Sequence, residues 1–96
     1  MSALHRKRRV VLLGSTGSIG SSTLKVAREL PNEFEIIALA AAHHVEKLAA
    51  QARETGARHV AIYDASQEAA LKALLPKDVK IHVGADGLLE VATLAE

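Results

Sequence analysis

The segment Gly14-Ser15-Thr16-Gly17-Ser18-Ile19-Gly20 limits what this chain can fold into more than any other. It follows the apolar run Arg9-Val10-Val11-Leu12-Leu13 without a gap and opens a stretch with helical apolar spacing. The run is short, β-branched at its start and closed by glycine, which predicts a buried strand. Ile19, Leu24, Val26, Ala27 and Leu30 then predict a helix over 18–30, stopped by Pro31-Asn32. Each glycine has a reading at such a junction. Gly14 lets the backbone reverse through positive φ. Gly17 leaves the main chain open to a pyrophosphate, and Gly20 lets the helix lie close to the strand. The helix start adds unpaired N–H groups and partial positive charge. Ser15, Thr16 and Ser18 contribute hydroxyls, with Ser18 the expected N-cap. The spacing is G-x-x-G-x-x-G rather than the commoner G-x-G-x-x-G, and no Gly-Lys-Ser/Thr follows, which excludes a P-loop. A turn with only structural duty is the alternative reading.

The rest of the chain repeats the strand-to-helix alternation. Strands are expected over 34–40, 59–63 and 79–83, the last half-exposed by its period-two pattern. Helices are expected over 45–55, 66–75 and 86–95. The first of these carries the stripe Val45, Leu48, Ala49, Ala52 with Gly56 at C′, and Pro76 closes the next. The order β-α-β-α-β-α-β-α, without linker or repeat, predicts a Rossmann-like parallel α/β sheet with helices on both faces. A further strand would normally follow the last helix, so the sheet is expected to be truncated and the chain to be a fragment of a longer enzyme.

Composition removes several functions. The chain has no cysteine, so disulfides and thiolate metal sites are excluded. Aromatics are 2% of residues, too few for stacking on single-stranded nucleic acid. No apolar run is long enough to span a bilayer, and the four-residue run after the basic start is no signal h-region, so a cytoplasmic location and no membrane partner are expected. The formal charge of +1 points to no partner. His5-Arg6-Lys7-Arg8-Arg9 is a local excess with no second basic cluster to support it, and it reads as a solvated lead-in over 1–8 rather than a nucleic-acid patch.

Cofactor choice is decided after the second strand. NAD-specific domains place a carboxylate there for the ribose 2′-hydroxyl. This chain has Ala40-Ala41-Ala42-His43-His44, and its first acid is Glu46, inside the next helix. A carboxylate would repel a 2′-phosphate, whereas imidazoles can donate to it, and more strongly when protonated. The residues therefore favour NADP over NAD. Adjacent histidines with no third ligand nearby do not make a zinc site.

Val11 to Leu24, with its G-S-T-G-S-I-G string followed by S-T-L, resembles the N-terminus of the 1-deoxy-D-xylulose 5-phosphate reductoisomerases. The likeness continues through Pro31 to Leu39 and Val45-Glu46-Lys47-Leu48, and is fainter at Val83 to Leu89. It covers residues 9–96, which would form the N-terminal part of an NADPH-binding Rossmann domain. The resemblance implies an NADPH-dependent oxidoreductase and isomerase of isoprene biosynthesis. Such an enzyme needs a divalent metal, magnesium or manganese, and works as a homodimer. It converts the phosphorylated sugar 1-deoxy-D-xylulose 5-phosphate to 2-C-methyl-D-erythritol 4-phosphate. It further implies that Thr16, Gly17, Ser18 and Ile19, within the Gly14–Gly20 turn, contact the cofactor phosphates. Ala42, His43 and His44 would lie by the 2′-phosphate, where the family commonly has glycine, a variable or basic residue, then asparagine. The metal ligands, substrate-phosphate site and lid of the family would fall beyond residue 96, so this segment alone is expected to be inactive. Two alternatives stay open: a semialdehyde- or homoserine-type dehydrogenase, and a non-catalytic nucleotide-sensing module.

Overall fold

In a computed structural model that describes residues 7–94, four strands form one parallel sheet in the order β1-β2-β3-β4. They are β1 (Arg8–Leu13), β2 (Phe34–Ala41), β3 (His59–Ile62) and β4 (Lys80–Val83). Helices α1 (Ser18–Glu29), α2 (Val45–Thr55), α3 (Glu68–Leu74) and α4 (Gly84–Ala92) alternate with them. The Rossmann-like α/β expectation holds. Crossovers of one hand, stepping steadily in one direction across a sheet, put their helices on a single face. Accordingly Leu24 of α1, Leu48 and Ala52 of α2 and Leu71 of α3 share one core with Ile36, Leu39, Val60 and Ile62. The second face buries Ala38, Ala40 and Ala61 under Val91 of α4. Helices therefore cover both faces, three on one and one on the other. Burying each of Leu39, Leu48, Ile62 and Leu71, which are fully enclosed, stabilises by about 1.5–3 kcal/mol.

The strand pairing is regular except at one place. Val10 pairs with Ile36 and Val11 with Ala38, so Ile37 is skipped as a bulge in β2. The bulge turns Ile37 and Ala38 to the same face, which is why both belong to the second core.

Several boundaries differ from the sequence reading. The basic lead-in falls mostly on residues 1–6, outside the described residues, as do His5 and Arg6; Lys7 is exposed and Arg8 already belongs to β1. β1 is an edge strand, only half-buried at Val10 to Leu12, with Leu13 51% exposed. A continuous apolar run predicts burial on both faces, and among the described residues β1 has a neighbour on one side alone. The expected helix over 66–75 begins instead as a 3-10 turn, Ala65–Gln67. Asp64 Oδ1 accepts from the Ser66 N–H at 3.1 Å and from its hydroxyl at 2.6 Å, which sets that tighter start. α4 starts two residues sooner than expected and closes at Ala92 with Thr93 as its C-cap, short of the expected end at Ala95, which itself lies outside the described residues. Among the described residues no helix is long and apolar enough to cross a membrane.

At the amino end of β3, His59 Nδ1 lies 3.1 Å from His82 Nε2, and His82 Nδ1 lies 3.1 Å from Glu90 Oε1. One proton per ring satisfies the chain, His59 donating to His82 and His82 to Glu90. Desolvation, then the charges of His82 and Lys80, push the His59 pKa below its ordinary value.

Candidate functional site

Parallel strands put all their carboxyl ends on one edge, and four connections meet there: residues 14–17, 42–44 and 63–64, and Gly84 at the start of α4. Open crevices at such an edge are where α/β sheets bind ligands.

The glycine turn is held from below. The carbonyl of Ala40, near the end of β2, accepts from both the Gly14 N–H (2.8 Å) and the Ser15 N–H (2.9 Å). Gly14 has φ +72°, where an L side chain would be strained. A Cβ on Gly20 would sit 2.4 Å from the Gly14 carbonyl oxygen and 2.7 Å from Ser15 Cα. Both are backbone atoms, so α1 can approach the turn this closely only through glycine. Gly17 differs. Its added Cβ would meet only the Gly14 oxygen, at an ordinary 3.5 Å. The packing of the turn does not need Gly17 bare, and the residue is exposed.

Gly17 is also the N-cap of α1, and no side chain caps the helix. Ser18, expected in that role, is instead the first helical residue. The N–H groups of Ser18, Ile19 and Gly20 thus have no acceptor within the helix. Ser18 is exposed and Ile19 is 83% exposed, an unusual place for a large apolar side chain. Thr16 is half-buried and Gly20 buried. These six residues, from Gly14 to Gly20 with Ser15 set inward, surround one helix start.

The second expected cluster lies one connection away. Ala42, His43 and His44 are all exposed. Ala42 has no positive φ, so the methyl at this position causes no backbone strain. Its carbonyl accepts from the Asp64 N–H at 2.9 Å, which ties the loop to the end of β3. The His43 and His44 rings lie 4.5 Å apart, tilted by 43°. Ala42 and His43, with Tyr63, Asp64 and Gly84, line an open groove of about 510 Å³, and His44 stands outside that lining. The Asp64 carboxyl is held below its usual range by the Ser66 hydroxyl and N–H, with the charge of His43 adding a smaller effect. A carboxylate and an imidazole therefore face the same groove.

Two residues on α2 escaped the sequence reading. Lys47 Nζ donates to the Thr16 carbonyl at 2.9 Å, and buried Gln51 Nε2 donates to the Ser15 carbonyl at 2.9 Å. A signal was present: Gln51 is three residues after Leu48, inside the apolar stripe, where a polar side chain needs a partner. Among the described residues no group of three His, Asp or Glu side chains could hold a metal ion.

Residues 10–96 match the family model of 1-deoxy-D-xylulose 5-phosphate reductoisomerase. The chain is 47% identical over 91 residues to the reductoisomerase of that name from Nitratidesulfovibrio vulgaris, covering 93% of this chain and 22% of that protein. It is 43% identical over 93 residues to the one from Francisella tularensis subsp. novicida, covering 97% of this chain and 24% of that protein. The solved reductoisomerase from Zymomonas mobilis in complex with NADPH superposes with a TM-score of 0.88 at 39% identity, over 93% of this chain and 24% of that one. A reductoisomerase structure in complex with magnesium gives a TM-score of 0.83 at 35% identity, over 93% of this chain and 23% of that one. The chain thus spans less than a quarter of the length of these relatives. The matches do not favour a semialdehyde- or homoserine-type dehydrogenase, nor a nucleotide-sensing module.

Proposed function

The chain belongs to the 1-deoxy-D-xylulose 5-phosphate reductoisomerase family, and on that premise we propose that its carboxyl-edge crevice binds NADPH. Residues 9–96 form the N-terminal part of the NADPH-binding domain, and the basic lead-in assigned to 1–8 ends in Arg8, which already pairs into β1. The observation that carries the reading is the start of α1, where an N-cap without a side chain leaves the first-turn N–H groups open. A dianionic pyrophosphate there accepts from Thr16, Ser18 and Ile19 and gains from the helix dipole. Gly17 gives it room, Gly14 makes the reversal, and Gly20 seats the helix.

The adenosine half runs along the groove between Ala42 and Tyr63. His43 and His44 donate to the 2′-phosphate, with His44 standing where the family commonly has asparagine. No acid projects at the end of β2 to hold a bare ribose 2′-hydroxyl in competition, and the carboxylate that lines the groove, Asp64 at the end of β3, is turned onto the Ser66 hydroxyl and N–H. NADPH so bound supplies hydride for the reduction that follows the rearrangement of a phosphorylated sugar, 1-deoxy-D-xylulose 5-phosphate. The reaction belongs to non-mevalonate isoprenoid synthesis in the cytoplasm, carried out by a homodimer. The divalent metal of such an enzyme, magnesium or manganese, finds no ligand set among the described residues, and none is assigned.

Calorimetric titration with NADPH and NADH tests the reading. NADPH is expected to bind at least roughly tenfold more tightly, the equivalent of about 1.4 kcal/mol. Equal affinities would remove the 2′-phosphate role of His43 and His44, and no heat with either would remove the site.

A further inference from the structure

We propose that Lys47 and Gln51 are positioning residues that set the hydrogen-bonding direction of the glycine turn, and so control affinity for the pyrophosphate without touching it. The inference rests on the NADPH reading above and deepens it.

The two side chains stand one helical turn apart on α2 and donate to successive carbonyls, Gln51 to Ser15 and Lys47 to Thr16, each at 2.9 Å. A trans peptide points its C=O and N–H in opposite directions. Holding the Ser15 carbonyl inward against buried Gln51 therefore aims the Thr16 N–H outward, into the crevice. Holding the Thr16 carbonyl toward Lys47 directs the Gly17 N–H back, and it closes on the Gly14 carbonyl at 3.1 Å. The same two bonds turn carbonyl oxygens, which would repel an anion, away from the place where the anion sits.

The burial of this contact makes it more than a surface hydrogen bond. Gln51 is 8% exposed and Ser15 fully enclosed. Ser15 Oγ and Gln51 Oε1 are both buried without a hydrogen-bond partner. An apolar residue at 51 would have filled this space at lower desolvation cost. A buried amide with one half unsatisfied is accounted for by what its other half does to the turn.

The test is calorimetric titration of the purified protein and of Gln51→Leu, Lys47→Met and Lys47→Arg, with NADPH and with adenosine 2′-monophosphate. The second probe carries the 2′-phosphate but no pyrophosphate. Gln51→Leu is expected to weaken NADPH roughly tenfold, and Lys47→Met roughly threefold, with the nucleotide monophosphate unchanged. Lys47→Arg keeps a donor and should restore most of the loss. Lys47 is exposed, so its variants report even if Gln51→Leu destabilises the fold. Equal losses for both probes, or none, would overturn the positioning role. Absence of NADPH binding by the unmodified protein would instead overturn the cofactor reading on which it rests.

Discussion

The turn after β1 and the loop after β2 stand side by side on the same sheet edge, yet they are built by opposite means. The first is backbone held from beneath: two N–H groups fixed on Ala40, two carbonyls fixed by α2, and a glycine where any Cβ would strike the main chain. The second is side chains held by little. Ala42, His43 and His44 are exposed, and neither imidazole makes a cap bond to α2. A pyrophosphate is common to every dinucleotide, so rigid backbone suits it. The group that separates two dinucleotides sits on the 2′ position, and exposed side chains can change there without disturbing the fold. The difference teaches where this architecture keeps its invariant chemistry and where it keeps its variable chemistry.

Gly20→Ala should have the largest effect. Its methyl meets backbone atoms at 2.4 and 2.7 Å, so turn and helix must part, costing about 3 kcal/mol of stability and most NADPH affinity. Thermal denaturation and cofactor titration on one preparation would read both. Gly17→Ala separates the two functions of the turn. Its methyl has room in the fold, so stability should change by less than about 1 kcal/mol, while NADPH weakens roughly thirtyfold, about 2 kcal/mol. If both glycines behaved alike, the distinction between a glycine for packing and a glycine for ligand would be lost.

On the neighbouring loop the expected result is reversed. Replacing His43 and His44 together by alanine should leave the melting temperature in place and weaken NADPH roughly tenfold, with NADH unchanged. A matching fall for NADH would make the loop part of the shared pyrophosphate site and erase the contrast.

The smallest effect belongs to the far end of the sheet. His59 has a depressed pKa when folded, so the unfolded chain takes up its proton first. Stability should fall as pH drops through 6.5, the ordinary histidine value, and level off below the folded value. His59→Gln should show a shallower decline in melting temperature between pH 7.5 and 5, with cofactor selectivity untouched.

The same contrast explains what could be read from residues alone. Helix α2 was legible to both ends because its stripe and Gly56, with φ +72°, are local signals. The glycine turn was legible for the same reason. Ser18 was misplaced as a cap because a serine satisfies the local rule, while the structure leaves the cap to Gly17 and the N–H groups bare. Lys47 and Gln51 stayed hidden because their partners lie 31 and 36 residues away. Burial of β1 was overestimated because apolar runs record faces, whereas edge position depends on which strands are present.

A crystal structure of the protein with NADPH tests the central claim most directly. The account predicts phosphate oxygens within roughly 2.7–3.2 Å of the Thr16, Ser18 and Ile19 amide nitrogens, with the Ser15 carbonyl still turned onto Gln51. A pyrophosphate bound elsewhere, or one that reaches the turn only after the Ser15 carbonyl has swung away from Gln51, would contradict it.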